Sequence, residues 1–230
     1  FNIGTPSSIT WNWIAQYKLT VYTNPASLDS PTGEGWYDSG VTAHVSTAQY
    51  ASVVAETSRY RFDHWDGASG DYSDATVVMD SAKTATAVYQ IQYYLTVTTS
   101  PAEVLTLNPS AVSGAGWYDS GATATVDAVQ NVDKLTGQSR YDFRSWTGAT
   151  PTGVGNQATA VIDTAKTATA NYQLQYYLSV TSPYGGPTPT SGWFDAETEI
   201  TASVTSPWPV DAVDTRYMCT GWTGTGSVTP

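Results

Sequence analysis

Apolar and polar positions alternate with a period of two in short runs along most of the chain. The first clear run is Tyr17-Lys18-Leu19-Thr20-Val21-Tyr22-Thr23. Strands carry this period because successive side chains leave opposite faces of a sheet. A Pro/Gly/Ser-rich loop follows at 24–35. The turn Gly35-Trp36-Tyr37-Asp38-Ser39-Gly40 leads into a second run at 41–48. Arg59-Tyr60-Arg61-Phe62-Asp63-His64-Trp65 alternates again and ends in a Gly-rich turn. Two runs at 76–79 and 84–91 then close the unit as a hairpin. The pattern predicts five or six short antiparallel strands, and no segment is assigned as a helix.

The same pattern recurs. Gly116-Trp117-Tyr118-Asp119-Ser120-Gly121 and Arg140-Tyr141-Asp142-Phe143-Arg144-Ser145-Trp146 repeat it, as do Gly192-Trp193-Phe194-Asp195 and residues 216–222. Equivalent modules open at Tyr17, Tyr93 and Tyr176, spaced 76 and 83 residues apart. The fold expected is all-β, with three tandem small antiparallel β-sandwich or β-grasp-like modules at 17–92, 93–175 and 176–230. Residues at the seams, such as Tyr89-Gln90-Ile91-Gln92-Tyr93-Tyr94, contain no Gly, Pro or Ser, which predicts stiff, rod-like stacking.

The opening residues do not fit this order. Residues 1–21 align without a gap with 77–97 and 160–180, the segments that close one module and open the next. At the head of the chain the hairpin pattern of 1–16 closes nothing, and the third module ends at Gly226-Ser227-Val228-Thr229-Pro230 where such a hairpin should follow. The 55 residues from Tyr176 and the opening 16 together make 71, close to a full module. Residues 1–16 are therefore read as a donor β-hairpin that completes the third module of another copy. Fusion of the 230 residues into one period of a longer chain would give the same pairing.

Composition narrows the class. Tyr, Trp, Thr and Val are frequent, which suits pleated, half-buried surfaces. The net charge of −11 excludes the basic footprint of a nucleic-acid binder and disfavours an anionic membrane surface. No stretch is long and apolar enough to span a bilayer as a helix. The single cysteine, Cys219, excludes an intrachain disulfide framework and is expected as a small buried hydrophobe. With no initiator Met or signal peptide, the chain reads as a mature secreted product or an excised part of something longer. No Asn-linked glycan sequon occurs, while Thr and Ser leave O-linked glycans open.

The motifs Tyr-x-Leu-x-Val, Gly-Trp-Tyr-Asp-x-Gly, Arg-Tyr-x-Phe-x-x-Trp and Thr-x-Thr-Ala-x-Tyr resemble divergent internalin-type B-repeat modules of bacterial and archaeal surface proteins. The resemblance covers nearly the whole chain. It implies an extracellular β-grasp-like or sandwich-like repeat used in surface structure or adhesion, without catalysis. The circular offset departs from that family and resembles donor-strand-complemented filament subunits.

On that reading the donor contributes Phe1, Ile3, Ile9, Trp11 and Trp13, which are bulkier than the intrachain equivalents Ala85, Ala87, Ala168 and Ala170. Each apolar anchor is worth roughly 1.5–3 kcal/mol when fully buried. The acceptor module is expected to use Tyr177, Leu178, Val180, Trp193, Tyr217, Cys219, Trp222 and Val228. A structural Asp–Arg cross-strand pair is expected to recur among Asp38, Arg59, Asp119, Arg140, Asp195 and Arg216.

Little chemistry remains. His44 and His64 do not recur in the other modules and are expected on exposed strand faces. No nucleophile–base set, metal-spaced Cys/His cluster or phosphate loop occurs, so no enzyme activity, catalytic residue or cofactor is expected. Asp66, Asp71, Asp74 and Asp80 offer carboxylates suited to calcium, but the group does not recur in the second module. Trp36, Trp117 and Trp193 are candidates for sugar stacking. The leading expectation is a non-enzymatic extracellular filament subunit whose partner is itself, head to tail. The alternatives are an adhesin or S-layer stalk that binds glycans or surface proteins, and an accessory region of a secreted protease.

Overall fold

The computed structural model describes residues 2–54, 57–209 and 214–228. The chain is all-β apart from one short helix. The first repeat forms β1 (Gln16–Asn24), β2 (Gly35–Asp38), β3 (Thr42–Val45), β4 (Tyr50–Val54), β5 (Ser58–Asp66), β6 (Ser69–Gly70), β7 (Ala75–Val78) and β8 (Lys83–Ser100). The second forms α1 (Glu103–Leu107), β9 (Val112–Ser113), β10 (Gly116–Asp119), β11 (Ala122–Ala128), β12 (Asn131–Leu135), β13 (Ser139–Thr147), β14 (Thr150–Pro151), β15 (Ala158–Ile162) and β16 (Lys166–Leu178). The third adds β17 (Gly192–Asp195), β18 (Trp208–Pro209) and β19 (Arg216–Tyr217). No helix among the described residues is long and apolar enough to cross a membrane.

Two compact units divide the chain. The first comprises Phe1–Thr96, Ala115–Ala124 and Val161–Lys166; the second comprises Val97–Gly114, Thr125–Ala160 and Thr167–Pro230.

The first unit is organised by β8. Residues 83–88 of this strand run parallel to 19–24 of β1. On its other edge, residues 86–93 pair antiparallel with β5. Farther along, Gln92–Leu95 pair antiparallel with β10. The parallel β1–β8 pair departs from the all-antiparallel expectation. These strands open and close one repeat, and the rest of that repeat is the long crossover a parallel pair requires. A second sheet, β3-β7-β6, contributes to the same core. That core holds Leu19, Val21, Phe62 and Trp65 together with Ala75, Val77, Met79, Ala85, Ala87 and Tyr89. The last six come from β7, β8 and the turn between them. β7 and β8 pair in different sheets and not with each other, so this closing segment is an arch between the two sheets, not the hairpin expected, and a repeat without it loses a large part of its apolar interior.

Two close approaches explain glycines in this design. A Cβ on Gly67, which has φ +81°, would sit 2.2 Å from the Thr84 carbonyl oxygen. Gly148, also at φ +81°, meets the Thr167 carbonyl at the same distance. In both repeats the turn after the recurring Trp presses directly on the long closing strand.

In the second unit, β13 pairs antiparallel with β12 and with β16, and β16 also carries β17. Ala168, Ala170 and Tyr172 on β16 are buried, as Ala85, Ala87 and Tyr89 are on β8. Helix α1 was not expected; it spans a single turn and a half between Pro101 and Pro109. Beyond Tyr176 the third repeat is only partly assembled. It has the β16–β17 pairing, an isolated bridge between Thr188 and Ser203, and the two-residue ladder of β18 with β19. The stretch 198–202, equivalent to β3, forms no strand. Among the described residues from 176 on, Gly185 alone is buried.

Candidate polymerisation interface

Residues 2–15 form no strand, so the hairpin expected there is not made within this chain. Its counterparts β7 and β8 pair with other strands and not with each other, so the segment by itself has no ladder to join. Ile9, Trp11 and Trp13 are 60%, 77% and 90% exposed. Their counterparts Ala85, Ala87 and Tyr89 are 0%, 0% and 6% exposed, and Ala168, Ala170 and Tyr172 are 0%, 0% and 7%. Ile3 is also exposed, whereas its counterparts Met79 and Ile162 are fully buried. Phe1 lies outside the described residues.

The acceptor positions are open to match. Leu19 and Leu95 are fully buried, but Leu178, at the same place in the third repeat, is only half-buried, as is Val180. Trp65 and Trp146 are buried opposite Ala87 and Ala170 of their hairpins, while Trp222 is exposed. Cys219 is exposed too, contrary to the expectation of burial. Its counterpart Phe62 is covered because the ring packs 5.9 Å from Tyr89 on the hairpin strand. No equivalent strand lies over Cys219 among the described residues. Tyr217 stacks on Tyr184 at 4.1 Å with both rings partly exposed, and Val228 is exposed.

Tyr177 and Trp193 have a different place from the one expected. They belong to a seam between repeats. Trp193 packs edge-on against Tyr177 at 5.3 Å, and the Arg140 guanidinium lies 4.4 Å over its ring. The first unit repeats this arrangement: Trp117 packs against Tyr94 at 5.2 Å, under Arg59 at 4.4 Å. Each cation covers an aromatic face by cation–π attraction.

The Asp–Arg relationship is also a seam feature, and it is indirect. Arg59 Nε donates to Gln92 Oε1 at 2.8 Å, and Gln92 Nε2 donates to Asp119 Oδ1 at 2.8 Å. Arg140 Nε donates to Gln175 Oε1 at 2.9 Å, and Gln175 Nε2 donates to Asp195 Oδ1 at 2.9 Å. The aspartate thus belongs to the repeat after the arginine's. A second cation reinforces each: Arg61 lies 3.3 Å from Asp119, and Arg144 pairs with Asp195. Both glutamines are buried with both ends of the amide used, as a buried polar group requires.

At the head of the chain half of this clasp exists alone. Gln16 Nε2 donates to Asp38 Oδ1 at 2.7 Å, and Gln16 is exposed. The backbone is arranged identically: Ser39 donates to the Ala15 carbonyl as Ser120 does to Ile91 and Ala196 does to Leu174. Trp36, however, has no arginine over it among the described residues and is 65% exposed, whereas Trp117 and Trp193 are half-buried. Arg216 is exposed, with no ion pair or cation–π contact among the described residues.

Inside a closed repeat the hairpin's last aromatic anchors the loop beneath it. The Tyr89 hydroxyl donates to the Ala48 carbonyl at 2.6 Å, and the Tyr172 hydroxyl to that of Val129 at 2.7 Å. Burial pushes the Tyr172 phenol up to about 12 and raises that of Tyr89. Asp29 supports the same corner, accepting from the Ala48 N–H at 2.7 Å and the Thr47 hydroxyl at 2.9 Å. The Ala48 N–H, the largest influence, holds the Asp29 carboxyl below its ordinary range.

The remaining candidates lie apart from this interface. His44 bonds Asp74 at 2.7 Å, and His64 sits between Asp63 and Asp66; both are exposed on strands. Asp71 accepts from the backbone and hydroxyl of Ser73, and Asp80 pairs with Lys83 at 2.8 Å. No group of three or more metal-ligating side chains converges among the described residues. No protein-family model, curated protein or solved structure matches the chain.

Proposed function

We propose that the protein is a structural subunit of an extracellular filament, polymerising head to tail by donating residues 1–16 into the third repeat of a neighbouring copy. One contrast carries this reading. Side chains that are core in two repeats are solvent-exposed in the third set, and the repeat they would close has no buried apolar side chain among its described residues from 176 on. A donated strand supplies main-chain hydrogen bonds for affinity and alternate side chains for register. Head-to-tail joining is heterologous and extends into a fibre unless its rotation closes a ring.

Residue chemistry supports the fit. Trp13 occupies the place of Tyr89 and Tyr172, and an indole N–H can donate to a carbonyl as the phenols do. The carbonyl at the position of Ala48 and Val129 in the third repeat is that of Thr205. Phe62 and Phe143 lie opposite Tyr89 and Tyr172, so Trp13 would lie opposite Cys219, the smaller residue that replaces them. The B-repeat-like motifs and the net charge of −11 favour a surface-structure role.

Analytical ultracentrifugation tests the reading. The full chain should sediment as a concentration-dependent polymer, and Trp11→Ser with Trp13→Ser should leave a monomer. A wild-type chain that stays monomeric at every concentration contradicts it.

A further inference from the structure

We propose that the joint between copies is locked by a second contact outside the donated strand: Arg216 of one copy closes over Trp36 of the next and bonds its Gln16. The proposal rests on the head-to-tail reading and assigns to it an interaction surface with a second copy of this chain as the partner.

The argument is that the molecule already contains this contact twice. At each internal seam an arginine of one repeat lies 4.4 Å over the tryptophan of the next and donates to a glutamine that also holds the next aspartate. Arg59, Arg140 and Arg216 occupy one position of the repeat; Gln92, Gln175 and Gln16 occupy another; Trp117, Trp193 and Trp36 a third. The head carries the glutamine, the aspartate and the tryptophan, with the Gln16–Asp38 bond formed at 2.7 Å. The tail carries the arginine. β18 and β19 hold it in the ladder that β4 and β5 use for Arg59: Pro209 pairs with Arg216 as Ser52 does with Arg59. Gln16 also ends the donor segment, so inserting that segment brings the half-clasp to the place where Arg216 stands.

Charge favours the pairing, since Arg216 would approach Gln16 with the Asp38 carboxylate directly behind it. Two differences make this clasp weaker than the internal ones. Met218 and Thr220 replace the reinforcing Arg61 and Arg144, leaving one cation. Lys18 stands where Tyr94 and Tyr177 pack against their tryptophans, though Glu34 neutralises its amine at 3.4 Å. A joint that must form and extend without a covalent link is thus held by one cationic contact at its rim and by the donated strand at its centre.

The test measures the critical concentration for polymerisation by sedimentation. The variants are Arg216→Ala, Trp36→Ala, both together, and Trp11→Ser with Trp13→Ser as a reference. Arg216 and Trp36 are exposed in the single chain, so circular dichroism of the monomer should not change. Each single variant should raise the critical concentration about tenfold, the size of a desolvated cation–π contact with its hydrogen bond. The double variant should be within about twofold of either single one, because each removes the same contact. Single variants within about twofold of wild type, or effects that multiply in the double variant, overturn the clasp. If the Trp11/Trp13 variant still blocks assembly in that case, strand donation stands without it. A wild-type chain that never polymerises overturns both.

Discussion

Gln16 donates a 2.7 Å hydrogen bond to Asp38, the same bond that Gln92 makes to Asp119 and Gln175 to Asp195. At the two later positions an arginine of the preceding repeat completes the set; at the first there is no preceding repeat within these residues. On the proposed reading the Gln16–Asp38 pair is the receiving half of a seam, and the exposed Arg216 would supply the complementary half.

Gly224 separates folding from assembly. It follows Trp222 as Gly67 follows Trp65 and Gly148 follows Trp146. Gly67→Ala should destabilise the first repeat by about 2–4 kcal/mol, since its Cβ would sit 2.2 Å from backbone at positive φ. In the single chain the atoms nearest a Cβ on Gly224 belong to the exposed side chains of Val228 and Trp222 and not to backbone. Gly224→Ala should leave thermal unfolding of the monomer nearly unchanged and impair polymerisation, because the donated strand would lie where β8 lies against Gly67. Scanning calorimetry and sedimentation of both variants check this.

Much of this architecture is legible in the sequence, and the failures have physical causes. Period-two runs and the alignment of 1–21 with 77–97 and 160–180 identify the strands and the displaced hairpin. Alternation says that a segment is a strand but not which strand it joins, so it does not specify the parallel β1–β8 pairing. The Asp–Arg relationship needs a mediator that pairing rules alone do not supply. Gln16, Gln92 and Gln175 recur at one position, and an internally repeated polar residue between apolar neighbours was the available signal that it is held by partners. Tyr177 and Trp193 pack at a seam and not in the acceptor groove because Arg140 of the preceding repeat, distant in sequence, covers Trp193. Helix α1 is too short to express a helical period.

The phenol at the end of the hairpin makes a measurable contribution. Tyr172→Phe removes the 2.7 Å bond to the Val129 carbonyl and should cost about 1 kcal/mol, read as a lower urea midpoint. Tyr89→Phe should do the same at Ala48.

Asp29 sets an acid limit. Its folded-state carboxyl is depressed, chiefly by the Ala48 N–H, so its contribution is fully present above the ordinary Asp value near 3.8. That contribution is lost as pH falls through the lower folded value. Asp29→Asn should reduce the melting temperature at pH 7 and flatten its decline below about pH 4.

Glu197 lies at φ 67°, where Gly40 and Gly121 stand at φ 86° in the other repeats. A side chain in the left-handed region is strained by roughly 1–2 kcal/mol. Glu197→Gly should relieve part of this and raise the stability of the region around β17 by about 0.5–1 kcal/mol, measured as slower hydrogen exchange near Asp195.

The most direct measurement is electron cryo-microscopy of the purified full chain. The account predicts regular fibres in which Ile9, Trp11 and Trp13 of each subunit lie buried against residues 216–222 of its neighbour, antiparallel as β8 lies on β5. Separate particles whose third repeat is closed by its own residues, with 2–15 left in solvent, would contradict it.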